Sequence, residues 1–134
     1  MYLADTNIVS ELMRPVPHAG VVQWKDRLDS SAIDLIVSAI TVDEIIFGLQ
    51  WRPSAAKMVW FARFMQRVTV LPVTENIARR AGEMRAQMAL LGQVRQQPDM
   101  LIAATAQVHA LTLVTRNVRD FDGCGIAVLN PFTP

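Results

Sequence analysis

The amino-acid sequence predicts an α/β fold of Rossmann-like type, an α/β/α sandwich around a five-stranded parallel sheet. Three observations carry that expectation. Five short runs of apolar, often β-branched residues recur along the chain, and segments with apolar residues at helical spacing lie between them. The strand candidates are apolar on both faces, which suits a sheet that helical crossovers cover on two sides.

Taken in order, residues 1–5 form an apolar strand ending in Asp5, and 7–14 read as a helix closed by Arg14-Pro15, since proline cannot continue it. Residues 19–28 give a second helix. Leu35-Ile36-Val37 is a buried strand, and Thr41 opens a helix running to about Trp51. Pro53 separates this from a helix over 54–67, and Val68-Thr69-Val70-Leu71 is a strand ended by Pro72. Ile77, Ala81, Met84, Met88 and Leu91 recur at helical spacing, predicting a helix from about 75 to 91 that stops at Gly92. Residues 91–98 read as a loop and 99–109 as an apolar helix. A strand at 112–114, a helical turn at 117–121 and a last strand at 126–129 complete the series.

At 134 residues, 51% of them hydrophobic, the chain has the apolar surface for one proper core, so a single domain over 1–134 is expected. No apolar run approaches the ~18 residues of a membrane span, and the N-terminus lacks the pattern of a signal peptide, which points to a cytoplasmic protein without a membrane partner. The lone Cys124 has no partner for a disulfide and no Cys or His at zinc-site spacing. Of the 13 basic residues, 11 are Arg. Arg52, Lys57, Arg63, Arg67, Arg79, Arg80, Arg85 and Arg95 lie between Glu44 and Asp99, where they could form a phosphate-binding flank or the solvated faces of amphipathic helices.

In an open parallel sheet the ligand site lies beyond the carboxyl ends of the strands. Asp5 ends the first strand, Glu44 lies in the first turn of the helix after the second, and Asp120 lies in the turn after the fourth. Asp99 starts the helix leading into the fourth strand and joins them only if the preceding loop folds back. Three of these acids have a structural alternative. Thr41-x-x-Glu44 fits a capping box, Asp99 after Pro98 could cap its helix, and Asn117-x-x-Asp120 could cap the turn. Asp5 suits capping less well, because Thr6 and Asn7 could cap the following helix without a charge. A carboxylate at the end of a buried strand needs a partner, and none of the nearby residues is Lys or Arg. Converging carboxylates without His or Cys would select Mg²⁺ or Mn²⁺, ions suited to phosphate chemistry. No Gly-rich phosphate loop and no GxSxG competes, and His109 reads as a helix C-terminal residue.

The motifs resemble a known family. Leu3-Ala4-Asp5-Thr6-Asn7-Ile8-Val9-Ser10-Glu11, Ser38-x-x-Thr41-x-x-Glu44-x-x-x-Gly48, Pro98-Asp99-x-x-Ile102-Ala103-Ala104 and Thr115-Arg116-Asn117-x-x-Asp120-Phe121 are similar, in order and spacing, to the four motifs of the PIN domain. The likeness is to its bacterial toxin branch of VapC and FitB type, and Leu129-Asn130-Pro131-Phe132 also fits. The resemblance implies a metal cluster of Asp5, Glu44, Asp99 and Asp120, with Asn7, Thr115 and Asn117 as polar helpers, and a loop before Asp99 that folds back. Asp122 stands near enough to replace Asp120, and Asp43 adjoins Glu44. The resemblance further implies Mg²⁺- or Mn²⁺-dependent cleavage of RNA and inhibition by a cognate antitoxin. It implies a homodimer or higher toxin–antitoxin assembly, and contact with operator DNA only through the antitoxin. The apolar stretch Ile45-Ile46-Phe47-x-Leu49-x-Trp51, with Trp60, Phe61 and Phe64, is richer in large side chains than one core stripe needs, so part of it could be an interface. Two other readings remain: a PIN-like binding module that cleaves nothing, against which all four acids count, and another Mg²⁺-dependent phosphoryl-transfer enzyme. An aspartyl-nucleophile enzyme of the second kind would show Asp-x-Asp after the first strand, where this chain has Asp5-Thr6-Asn7.

Overall fold

In the computed structural model, which describes residues 1–133, the chain opens with strand β1 (Tyr2–Ala4), helices α1 (Thr6–Leu12) and α2 (Ala19–Ser30), strand β2 (Ile36–Ser38) and helix α3 (Ala39–Trp51). It continues through α4 (Ala55–Met65), β3 (Thr69–Leu71), α5 (Glu75–Leu90), α6 (Gln97–Val108) and β4 (Thr112–Val114). A 3₁₀ turn (Val118–Phe121) and β5 (Val128–Leu129) follow. The five strands lie in the order β3-β2-β1-β4-β5, and every pairing is parallel. Chain order runs outward on both sides of β1, so the topological switch point falls between β1 and β4. Leu3 pairs with Leu113 there, and Ala4 with Val114.

Alternation along the strands explains why their sequences are apolar throughout. Leu3 and Leu113 pack with Ile77, Met84, Met100 and Ile102 from α5 and α6. Their neighbours Ala4 and Val114 face the other way and pack with Ile8, Val21, Trp24, Ile45 and Phe61 from α1 to α4. Successive side chains of a strand point to opposite faces, and here each face meets its own helical layer. The edge strand β3 is the exception, with Thr69 and Val70 exposed.

The element boundaries differ from the expected ones for local reasons. Helix α1 ends at Leu12, two residues early, because Pro15 restricts the conformation of Arg14 before it. The second strand is Ile36–Ser38 instead of 35–37, and α3 begins at Ala39 with Ser38 as its N-cap, its Oγ accepting from the Ile40 N–H at 3.1 Å. Helix α6 begins two residues before Asp99, with Pro98 inside its first turn, where a missing N–H costs nothing. The last strand shrinks to two residues because Gly125, at φ 71°, turns the chain just before it.

Two helices, not one, fill the crossover from β3 to β4, and they form an antiparallel hairpin. Arg80 near the start of α5 donates to Gln107 near the end of α6. At the opposite end, Arg95 in the connecting loop donates to the carbonyls of Arg119 (2.7 Å) and Asp122 (3.0 Å) in and beside the 3₁₀ turn. That hairpin brings the start of α6, and Asp99 with it, to the carboxyl end of the sheet.

Candidate metal centre

Asp5 follows β1 at the switch point and is only 4% exposed. Its N–H donates to the Val114 carbonyl at 2.9 Å, which ties the end of β1 to the end of β4. Oδ1 accepts from the Thr6 N–H at 2.8 Å, while Oδ2 accepts from Thr115 Oγ1 at 2.8 Å and Asn7 Nδ2 at 3.2 Å. Asn7 Nδ2 also reaches Thr115 Oγ1, and Asn7 Oδ1 accepts from the Arg116 N–H, both at 3.2 Å. Thr115 Oγ1 in turn accepts from the Asn117 N–H at 3.0 Å. Burial raises the Asp5 carboxyl above its usual range and the charge of Glu44 adds to that, against the lowering effect of the Thr115, Thr6 and Asn7 bonds.

The pattern of capping is the reverse of the one the sequence suggests. Asp5 is the N-cap residue of α1 and accepts from the first helical N–H, whereas the other three acids cap nothing. Ser38 caps α3, so Thr41 is a helical residue inside it. Glu44 Oε1 accepts from the side chain of Thr6 at 2.7 Å, and Thr41 Oγ1 lies 3.0 Å from the same hydroxyl. Helix α6 has no side-chain cap, and neither has the 3₁₀ turn, whose N-cap residue is Asn117. Of the three expected polar helpers, Asn7 and Thr115 engage Asp5 directly, while Asn117 contributes its backbone N–H.

Asp99 gathers the four acids together electrostatically. Its carboxyl is pushed up to about 6, first by burial and then by the charges of Asp5, Asp120 and Glu44, with Arg95 opposing. Asp122 ends the 3₁₀ turn, and its charge acts on Cys124.

A divalent cation suits this donor set. Among the described residues the three ion pairs are Arg14–Glu11, Lys25–Asp29 and Arg79–Glu75, so none of the four acids has a cationic side chain as partner. The donors are all oxygens, which matches a hard ion. Among the described residues no three acidic, His or Cys side chains form a ready-made cage. Mg²⁺ does not require one, since it keeps several waters and binds directly through one or two carboxylates.

Three contributors were missed from sequence. Thr6 holds Glu44 and meets the Thr41 hydroxyl, and the signal was their place in the first two motifs, with Thr41 three residues before Glu44 on the same helix face. Arg95 counts among the presumed phosphate-binding arginines, yet its guanidinium is committed to two backbone carbonyls and Gln93, which anchors the turn carrying Asp120. Two more residues of that flank are engaged elsewhere. Arg79 pairs with Glu75 in the first turn of α5, and Arg80 with Gln107, at the end of the hairpin away from Asp99.

Comparison with known proteins agrees with the fold. The sequence pattern described as "PIN domain" matches residues 2–123. The chain is 32% identical, over its whole length and 99% of the relative, to "VapC ribonuclease Y4jK" of Sinorhizobium fredii. Its fold superposes with TM-score 0.83 and 34% identity on a chain of FitAcB from Neisseria gonorrhoeae, covering both chains completely. It also superposes with TM-score 0.82 and 26% identity on a chain of DNA-bound VapBC from Salmonella typhimurium, covering 97% of each.

The raised Asp99 carboxyl makes stability depend on pH in a defined direction. Between about 3.8 and about 6 the folded chain binds more protons than the unfolded one, so stability falls as pH rises through that window. In chelator, Asp99→Asn removes that slope and is more stable than wild type at pH 8, by up to roughly 2 kcal/mol once solvent screening is allowed for. The helix-dipole contribution lost with the charge is smaller, about 0.3–1 kcal/mol. Urea denaturation across pH 4–8 checks this; a variant weaker than wild type at pH 8 would make Asp99 a structural residue of its helix.

Proposed function

The chain belongs to the PIN-domain family, and on that premise we propose that it is the endoribonuclease toxin of a type II toxin–antitoxin pair, hydrolysing RNA phosphodiester bonds with Mg²⁺ or Mn²⁺ at Asp5, Glu44, Asp99 and Asp120. The observation that carries the metal site is the charge coupling of Asp5, Glu44 and Asp120 to Asp99 at the switch point, without a cationic side chain to pair any of them. The relatives support the activity by name and the pairing by their complexes.

A divalent ion held by these carboxylates would supply charge neutralisation at the scissile phosphate and an activated water. The chain's own residues prepare its place. Thr115, Asn7 and the Thr6 N–H fix both oxygens of Asp5, so its orientation needs no reorganisation when substrate arrives. The Thr6 side chain does the same for Glu44 from a neighbouring helix. Asp99, with its carboxyl at about 6, can hold a proton when the site is free of cation and release it when positive charge arrives.

The antitoxin partner follows from the toxin–antitoxin complexes among the structural relatives, one of them on DNA, and DNA contact by this chain is indirect, through the antitoxin. Among the described residues no helix is long and apolar enough to cross a membrane. Self-association is part of the proposal. Phe47 and Trp51 on α3 are 64% and 67% exposed, their rings 5.6 Å apart, and Val59 on α4 is exposed too. Ile45, Leu49 and Phe61 are core, so the apolar stretch divides between core and surface.

Purified protein should cleave RNA in Mg²⁺ or Mn²⁺ and stop in excess chelator, and Asp5→Asn should lower kcat at least about 100-fold. Thr6→Val, which frees Glu44, should lose about 10–100-fold. Cleavage that persists in chelator contradicts the mechanism. Trp51→Glu or Phe47→Glu should yield monomers in sedimentation where wild type is a dimer, since a charge cannot be buried unpaired at an apolar contact; a monomeric wild type at micromolar concentration removes the self-association.

A further inference from the structure

We propose that Arg116 holds an RNA phosphate beside the acidic site and that Phe132, in the C-terminal tail, is the positioning residue that aims its guanidinium. The inference rests on the nuclease reading and adds to it the residue that meets the substrate's charge.

The site itself repels its substrate. Four carboxylates gathered at one end of the sheet face a polyanion, and four of the arginines placed between Glu44 and Asp99 in sequence are already engaged. Arg95, Arg79 and Arg80 are engaged as described, and the Arg52 guanidinium sits 5.2 Å from the Trp51 ring centroid, on the exposed apolar face. Arg116 is placed differently. It directly follows Thr115, the donor to Asp5, and its own N–H donates to Asn7 Oδ1 at 3.2 Å. Two hydrogen bonds through Asn7 thus link its backbone to the Asp5 carboxylate.

The side chain of Arg116 is exposed and, among the described residues, has no ion pair despite the acids nearby. Its guanidinium carbon lies 4.7 Å from the centroid of the Phe132 ring. Stacking on an aromatic face satisfies the plane of a guanidinium and leaves its N–H edge free, the edge that reads a phosphate bidentately.

Phe132 is itself held firmly, which separates it from a loose terminal residue. Its N–H donates to Asn130 Oδ1 at 3.0 Å, and its ring packs against His18 with centroids 5.0 Å apart. The tail passes so close to α2 that a Cβ on Gly20 would stand 2.4 Å from the Pro131 carbonyl oxygen, a contact only glycine allows. His18 is fixed in turn, its Nδ1 accepting from the Gly20 N–H at 3.0 Å and its own N–H donating to the buried Glu11 at 2.8 Å. A chain of contacts from α1 through α2 to the tail therefore ends in one aromatic ring under the guanidinium of the residue that follows Thr115.

The test is binding of a fluorescent single-stranded RNA oligonucleotide by the cleavage-impaired Asp99→Asn protein, followed by anisotropy over a range of salt. Arg116→Ala should weaken binding about 5–20-fold at low salt and make the log–log salt slope shallower by about 0.7, the value for one phosphate contact on a single strand. Phe132→Leu, which keeps apolar packing, should weaken binding several-fold, and Phe132→Tyr should restore it. Combined with Arg116→Ala, Phe132→Leu should add nothing. Unchanged affinity and slope for Arg116→Ala overturn the phosphate contact, and a Phe132→Leu effect that persists without Arg116 overturns the positioning role. Wild-type cleavage measured alongside keeps the two readings apart. An inert wild type counts against the nuclease, and an active wild type with an indifferent Arg116→Ala variant counts against this inference.

Discussion

The carboxylate of Asp5 is the point on which the rest of the site depends. It sits where β1 meets β4, almost wholly buried, with one oxygen bonded to the start of α1 and the other to Thr115 at the end of β4 and to Asn7. Each bond favours the charged form, yet burial outweighs them and the carboxyl remains harder to ionise than a free one. A fold built for stability alone would place a neutral cap here, for which Ser, Thr or Asn serve as well. Retaining a charge that the surroundings disfavour makes sense when something cationic is to be bound, because a buried carboxylate is then the strongest local donor.

The other acids come to this end of the sheet by three different routes. Glu44 comes from the helix after β2 and is steadied by Thr6. Asp120 comes from a 3₁₀ turn anchored by Arg95. Asp99 arrives because the crossover between β3 and β4 is a helical hairpin, whose second helix begins at the carboxyl end of the sheet. A single crossover helix would have required the loop before Asp99 to travel the length of the domain. The hairpin achieves the same placement with a turn of a few residues, and Arg95 in that turn joins the Asp99 side of the site to the Asp120 side.

Much of this was legible in the sequence, and the limits have physical reasons. Strand and helix order followed from periodicity, and the two-sided core from strands apolar throughout; Leu3 beside Ala4 and Leu113 beside Val114 show why. Boundaries slipped where a local device overrode periodicity, as with Ser38 taking the cap that Thr41 was expected to provide. The capping assignments inverted because a cap is defined by backbone geometry that a four-residue spacing cannot specify. The choice between a phosphate-binding flank and solvated helix faces stayed open for a related reason. Helical spacing says which residues share a face, but not which end of a hairpin they occupy, and so Arg80 and Arg95 were grouped although they lie at opposite ends. The contact between Arg116 and Phe132 joins residues far apart in sequence, and nothing local announces it.

The central claim is that Asp5, Glu44, Asp99 and Asp120 share one divalent cation site. Calorimetric titration of Mn²⁺ into the wild-type protein at pH 6, in two buffers of different ionisation enthalpy, tests it most directly. With the Asp99 carboxyl at about 6, the account predicts saturable binding that releases about half a proton per chain. Absence of saturable heat, or binding that releases no proton, would contradict it.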